Sequence, residues 1–162
     1  MPDMLVQLLK LPEVKPMIAD LRTKGIVIRR ALSYEAGIVR EFIDNEFGQG
    51  WANEVAPAYC IQPTGIFIAL KDGVVIGFAA IECVANGFFG PTGVLESERG
   101  QGIGAVLLLA SLWALRERGY VYGIIGGAGP TEFYARTCGA TVIPGSVPGI
   151  YADPIGKVLP VT

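Results

Sequence analysis

The spacing of apolar residues changes several times along the chain, and each change marks an element. Val14, Met17, Ile18 and Leu21 recur three and four residues apart and Gly25 follows as a stop, which predicts a helix within an N-terminal extension, residues 1–25. Residues 26–32, IVIRRAL, have the β-branched content of a strand. Ser33 then caps a helix running to about Phe47, with Glu35 in its first turn, and a shorter helix follows that Pro57 ends or bends. The stretch GIFIALKDGVVIGFAAIECVA is two β-rich runs joined at Lys71, Asp72 and Gly73, and Asp-Gly is the pair a tight hairpin turn requires. A third strand is expected over residues 87–95, where Gly90, Pro91 and Gly93 predict a bulge or an interrupted ladder. Residues 102–118 read as a long helix with almost no polar positions, closed by Arg116, Arg118 and Gly119. A strand over 120–126, a short helix opening at Pro130 and a closing strand pair over 140–154 complete the pattern. Strands on both sides of one central helix imply a single α/β (α+β) domain over residues 26–162, a mixed central sheet with helices on both faces.

Composition narrows what such a domain can do. With 162 residues, 51% hydrophobic and 17% charged, the chain can build its own core. Thirteen basic and fifteen acidic residues give a net charge of −2, and no basic block is dense enough to follow a phosphate backbone, so nucleic acid is not an expected partner. The most apolar run, residues 103–115, is shorter than the roughly 20 residues a bilayer demands and closes on Arg116, Glu117 and Arg118, so no membrane partner is expected either. The opening residues show no basic leader or small-residue cleavage site, which predicts a cytoplasmic protein. Cys60, Cys83 and Cys138 lack CxxC or metal-ligand spacing, so no metal is expected and buried free thiols are the favoured reading. The chain contains no histidine, which excludes Ser-His-Asp triads, Cys-His pairs, HExxH metal sites and any imidazole acid or base.

The chemistry then turns on RGQGIG, residues 99–104, at the mouth of the long apolar helix. A helix N-terminus leaves its first N–H groups unpaired and carries about half a positive elementary charge, so it attracts anions. Gly100, Gly102 and Gly104 let a ligand approach the backbone, and Arg99 adds a phosphate-matching cation, so a pyrophosphate suits the loop. Gly100, Gly102 and Ala105 also satisfy G-x-G-x-x-A, but the charged residues 96–99 separate them from their strand, which disfavours a Rossmann site. The lysine and hydroxyl of a nucleoside triphosphatase loop are missing.

Arg99-Gly100-Gln101-Gly102-Ile103-Gly104 fits, position by position, the [QR]-x-x-G-x-[GA] signature of the Gcn5-related N-acetyltransferases, and the chain resembles that family from about Ile26 to Tyr151. TGVLESERGQGIGAVLL looks like the family's strand-loop-helix unit, FIALKDGVVIGFAAI is similar to its central hairpin, and FYARTCGA to its later helix. The resemblance implies a central sheet with a splayed pair of strands, acetyl-CoA as co-substrate, and direct transfer to an amine in a ternary complex. It implies that Arg99, Gly100, Gln101, Gly102, Ile103, Gly104 and Ala105 hold the pyrophosphate and that Val94 and Leu95 pair with the pantetheine amides. Tyr134 matches the family tyrosine that gives a proton to the leaving thiolate. Glu82 is the first candidate general base and Glu54 the second, while Trp51, Phe88, Phe89 and Tyr151 are candidates for the acceptor pocket. The expected partner is a small-molecule amine; transfer of another acyl group, a protein amine as acceptor, a non-catalytic acyl-CoA sensor and a homodimer all stay open.

Overall fold

The computed structural model describes residues 1–156. Its sheet has seven strands in the order β2-β3-β4-β5-β6-β1-β7. These are β1 (Met4–Gln7), β2 (Ile26–Arg30), β3 (Ile66–Lys71), β4 (Val74–Ile81), β5 (Phe88–Val94), β6 (Tyr122–Ile125) and β7 (Thr141–Val142). Five helices accompany them: α1 (Lys15–Thr23), α2 (Ala36–Phe47), α3 (Gln49–Glu54), α4 (Ile103–Glu117) and α5 (Thr131–Cys138).

Strand alternation divides the core between two faces. Phe67 and Ala69 of β3, with Ile76, Ala79 and Ile81 of β4, pack against α4 and Leu21 of α1. Ile66 and Ile68, with Val75, Phe78 and Ala80, pack against Val39 and Ile43 of α2 and Ala52 of α3. A side-chain period of two accounts for this division along β3 and from Phe78 to Ile81 of β4, while the register shift at Ala69/Leu70, where β4 carries one extra residue, puts Val75 on the face of Phe78 and Ile76 on that of Ala79. Helix α4 buries ten of its fifteen residues, from Ile103 to Leu115. A helix enclosed on most sides has no use for a polar stripe. No helix among the described residues is long and apolar enough to cross a membrane.

The β3–β4 hairpin turns on Asp72 (φ 51°) and Gly73 (φ 77°), two left-handed residues that match the twist of the strands they join. The expected irregularity in β5 is present as well. Thr92 opposes Ala79 and Phe89 opposes Ile81, so β5 advances three residues where β4 advances two. The extra residue falls at Gly90 and Pro91, where proline has no N–H to give the ladder. Beyond it β5 and β6, the only parallel pair among the described residues, are in register just at Phe88↔Ile124 and Phe89↔Ile125. β5 then continues to Val94 while β6 ends at Ile125, and the two strands splay.

Three local expectations are corrected. The N-terminal segment is α-helical only from Lys15, after a 3-10 turn at Leu8–Lys10; Met4–Gln7 is a strand hydrogen-bonded between β6 and β7. Of the closing strand pair only β7 forms, it pairs with β1, and residues 149–151 are a 3-10 turn. Ser33 makes no side-chain cap. Glu35 does that work, accepting the Leu32 N–H at 2.8 Å while a bidentate bond to Arg29 holds its carboxyl down to about 2.

Candidate active site

The space between the splayed strands is a cleft of about 660 Å³. Thr92, Gly93 and Val94 line it from β5, Ile125 and Gly126 from the end of β6, Phe133 and Tyr134 from α5, and the N-terminus of α4 closes one end. Gly93 has to be glycine here, because a Cβ would stand 2.6 Å from the Phe47 ring packed beneath the strand.

At the α4 end, Gly102 takes the N-cap position in the left-handed conformation (φ 86°) with no side-chain cap. Val106 is the first residue whose N–H reaches back to Gly102, at 3.1 Å. The N–H groups of Ile103, Gly104 and Ala105 therefore have no backbone acceptor among the described residues. A Cβ on Gly100 or Gly102 would meet nothing within 4 Å, and one on Gly104 would sit 3.8 Å from Val94 and 3.9 Å from Phe133. Open space in front of unpaired donors, at the positive end of a fifteen-residue helix, is what a pyrophosphate needs.

Val94, Arg99, Gly100, Gly102, Ile103, Gly104 and Ala105 all line the cleft. Arg99 is anchored by its Nε, which donates to the Val94 carbonyl at 3.2 Å. Leu95 and Gln101 are not in the lining. The Leu95 N–H is committed to the Ile76 carbonyl (2.9 Å), so β4 takes the group expected to pair with pantetheine. Gln101 turns away to Glu98, donating to its carboxylate at 2.8 Å.

Tyr134 lines the cleft with only 7% of its surface exposed, its ring edge-on to Phe89 (6.4 Å) and Phe133 (5.3 Å). Burial pushes its phenol above the ordinary value, so it stays protonated through neutral and mildly alkaline pH. Burial likewise pushes the Cys83 thiol up to about 12 and that of Cys138 up to about 11, which keeps both from being thiolates near pH 7. Cys60 is exposed, contrary to the expectation of buried thiols, and it is not among the cleft residues.

Glu82 is placed elsewhere. It lies just past β4 in a left-handed turn (φ 63°), outside the cleft lining. Its carboxylate accepts from the Gly87 N–H and the Tyr120 hydroxyl, both at 3.3 Å, and its other oxygen lies 3.5 Å from Arg118 Nε. These contacts join the β4–β5 connection to the end of α4. Glu54 is not in the cleft lining either; it ends α3 one turn after Trp51, which does line the cleft, with its ring stacked on Phe47. Burial raises the Glu54 carboxyl above the usual carboxylate range. Of the remaining aromatic candidates, Phe89 lines the cleft, Phe88 packs against Gly126, and the Tyr151 ring stands 3.6 Å from where a Cβ of Gly127 would be.

A splayed mixed sheet with a glycine-lined helix N-terminus at the opening is the arrangement that the resemblance to the Gcn5-related family implies. A sequence model of the acetyltransferase (GNAT) family matches residues 37–140, well over half of the chain, and the protein belongs to that family. No curated protein sequence matches it. Among solved structures, it is similar to a GCN5-related glucosamine N-acetyltransferase region of a fungal multi-domain GH3 β-N-acetylglucosaminidase (TM-score 0.71, 17% identity, 88% of this chain and 19% of that one). It is also similar to a GCN5-related N-acetyltransferase from Sphaerobacter thermophilus (TM-score 0.66, 18% identity, 88% of this chain and 48% of that one). A GNAT family acetyltransferase from Brucella melitensis, solved in complex with acetyl-CoA, has a TM-score of 0.56 and 24% identity over 73% of this chain and 86% of its own. The chain thus spans less than half the length of the first two, and the likeness to all three is one of fold.

Proposed function

We propose that this protein is an acetyl-CoA-dependent N-acetyltransferase that acts on a small amine by direct transfer. One observation carries the reading: a single cleft joins the unpaired N–H groups of Ile103, Gly104 and Ala105 at one end to the buried, protonated Tyr134 within. Those amides and Arg99 would hold the pyrophosphate, and Thr92, Gly93 and Val94, which lack a β6 partner, offer the strand edge beside which pantetheine would lie. Acetyl-CoA supplies the thioester. The amine nitrogen forms the new C–N bond as the C–S bond breaks. Glu54, beside the lining residue Trp51, takes the proton from the amine through water and passes it to solvent, and Tyr134 gives its phenolic proton to the departing thiolate before regaining one from solvent. The raised pKa values of Cys83 and Cys138 support direct attack over an acyl-enzyme on either.

Ligands test the clamp without an acceptor. A ligand present at 100 times its Kd stabilises the folded state by about 2.7 kcal/mol, which for a domain of this size raises Tm by roughly 5–10 °C. Acetyl-CoA and CoA should give that shift and NADH should not. A shift with NADH and none with CoA would overturn the reading.

The base assignment has its own signature in pH. Glu54 works only when deprotonated, so turnover should fall as pH drops through its raised pKa, at a higher pH than an ordinary carboxylate would set. Glu54→Gln should lower kcat by roughly 10²-fold and remove that acid limb, with CoA affinity unchanged. An unaltered profile in the Gln variant would exclude Glu54.

A further inference from the structure

We propose that Asp3 is the positioning residue of the transfer site, holding the β6–α5 loop and through it Tyr134. The inference rests on the reading just given for what the cleft does, but its geometry is separate. The loop, Gly126-Gly127-Ala128-Gly129-Pro130, forms one wall of the cleft through Gly126, Gly127, Gly129 and Pro130. It leads from the strand that leaves β5 to the helix that carries Tyr134. Three glycines in five residues give it almost no side chain to fix its path, and Gly127 is left-handed (φ 54°). Its position must be imposed from outside.

The chain before β1 imposes it. The Gly127 N–H donates to Asp3 Oδ1 at 2.8 Å, and the Ala128 N–H to the Pro2 carbonyl at 2.7 Å. Asp3 is itself fixed on three sides. Its N–H donates to Ser146 Oγ (2.9 Å), its carbonyl accepts from the Ile143 N–H (2.9 Å), and Met4 after it is in register with both Ile125 and Val142. Its second oxygen, Oδ2, lies 3.3 Å from where a Cβ of Gly149 would be. A single residue thus joins segments remote in sequence, its carboxylate hydrogen-bonded to the β6–α5 loop and its backbone to residues 143 and 146, and Met1 near it reaches into the cleft lining.

The loop in turn sets the start of α5. Pro130 is its N-cap residue, and the Tyr134 N–H reaches the Pro130 carbonyl at 3.4 Å. If the Gly127 amide is released, the first turn of α5 loses its anchor and the Tyr134 hydroxyl loses its place in the cleft. Asp3 does not line the cleft and needs no contact with substrate; it acts through the position of Tyr134.

Two readouts test this. Amide hydrogen exchange on the unliganded protein reads the loop alone. Asp3→Ala should raise exchange at Gly127 by at least about tenfold, whereas Asp3→Asn, which keeps the Oδ1 acceptor, should leave it near the wild-type rate. A double-mutant cycle reads the link to chemistry. Asp3→Ala should lower kcat about tenfold in the wild-type background and less than about twofold in the Tyr134→Phe background, because the phenol it positions is then gone. Asp3→Glu keeps the charge but moves it one methylene along, and should show both effects if Asp3→Ala does not fold. Unchanged exchange at Gly127, or the same fold-loss in both backgrounds, would overturn the proposal. A protein that turns over no amine but still shows the exchange effect contradicts the acetyltransferase reading and leaves Asp3 as the holder of the loop.

Discussion

Gly104→Leu is expected to weaken acetyl-CoA binding by at least about 100-fold, a loss of about 2.8 kcal/mol, while the protein folds as well as before. The position separates binding from stability in a way the neighbouring glycines do not. Gly102 has φ 86°, so a β-branched residue there strains the backbone as well as blocking the ligand. Gly104 lies in the first turn of α4, and a Cβ there finds Val94 and Phe133 at 3.8 and 3.9 Å, ordinary contact distances. A leucine would extend from that point between two residues of the cleft wall. Exchanging glycine for leucine in a helix is favourable by up to about 1 kcal/mol, so Tm should hold or rise. Titration calorimetry and a thermal melt on the same preparation give both numbers. Wild-type affinity in the leucine protein would place the pyrophosphate somewhere other than the N-terminus of α4.

Tyr134→Phe should lower kcat by roughly 10²-fold and leave CoA affinity nearly intact. Burial raises the phenol pKa, so the proton is present at neutral pH and available to a thiolate as it departs. Phenylalanine preserves the edge-on packing against Phe89 and Phe133, so a purely structural tyrosine would give little change in rate. Kinetics with a chosen amine, with CoA binding measured alongside, distinguish the two. Wild-type turnover would leave water as the proton donor.

What the sequence made legible was local. The Asp72-Gly73 turn, the break at Gly90-Pro91 and the glycines before α4 each act through the backbone freedom of one or two residues, and each stands where the pattern put it. β1 was hidden because MLVQ is too short to show a period, and its partners, Tyr122–Ile125 and Thr141–Val142, lie more than a hundred residues away. The stronger helical spacing from Val14 to Leu21 dominated that segment. That the Leu95 N–H faces Ile76 of β4 depends on which backbone edge each residue turns to its neighbour, a detail of register that residue types do not reveal. Glu82 reads as the end of a strand entering the cleft, but a left-handed turn at that residue directs its carboxylate to Gly87, Tyr120 and Arg118. Asp3 carried no signal at all, since its importance comes from three segments that only the folded chain brings together.

A crystal structure with CoA bound tests the central claim most directly. The account predicts phosphate oxygens within hydrogen-bond distance of the Ile103, Gly104 and Ala105 amides, pantetheine along Thr92–Val94 in the gap beside β6, and the sulfur next to the Tyr134 hydroxyl. Phosphates bound away from the start of α4, or a sulfur facing away from Tyr134, would contradict it.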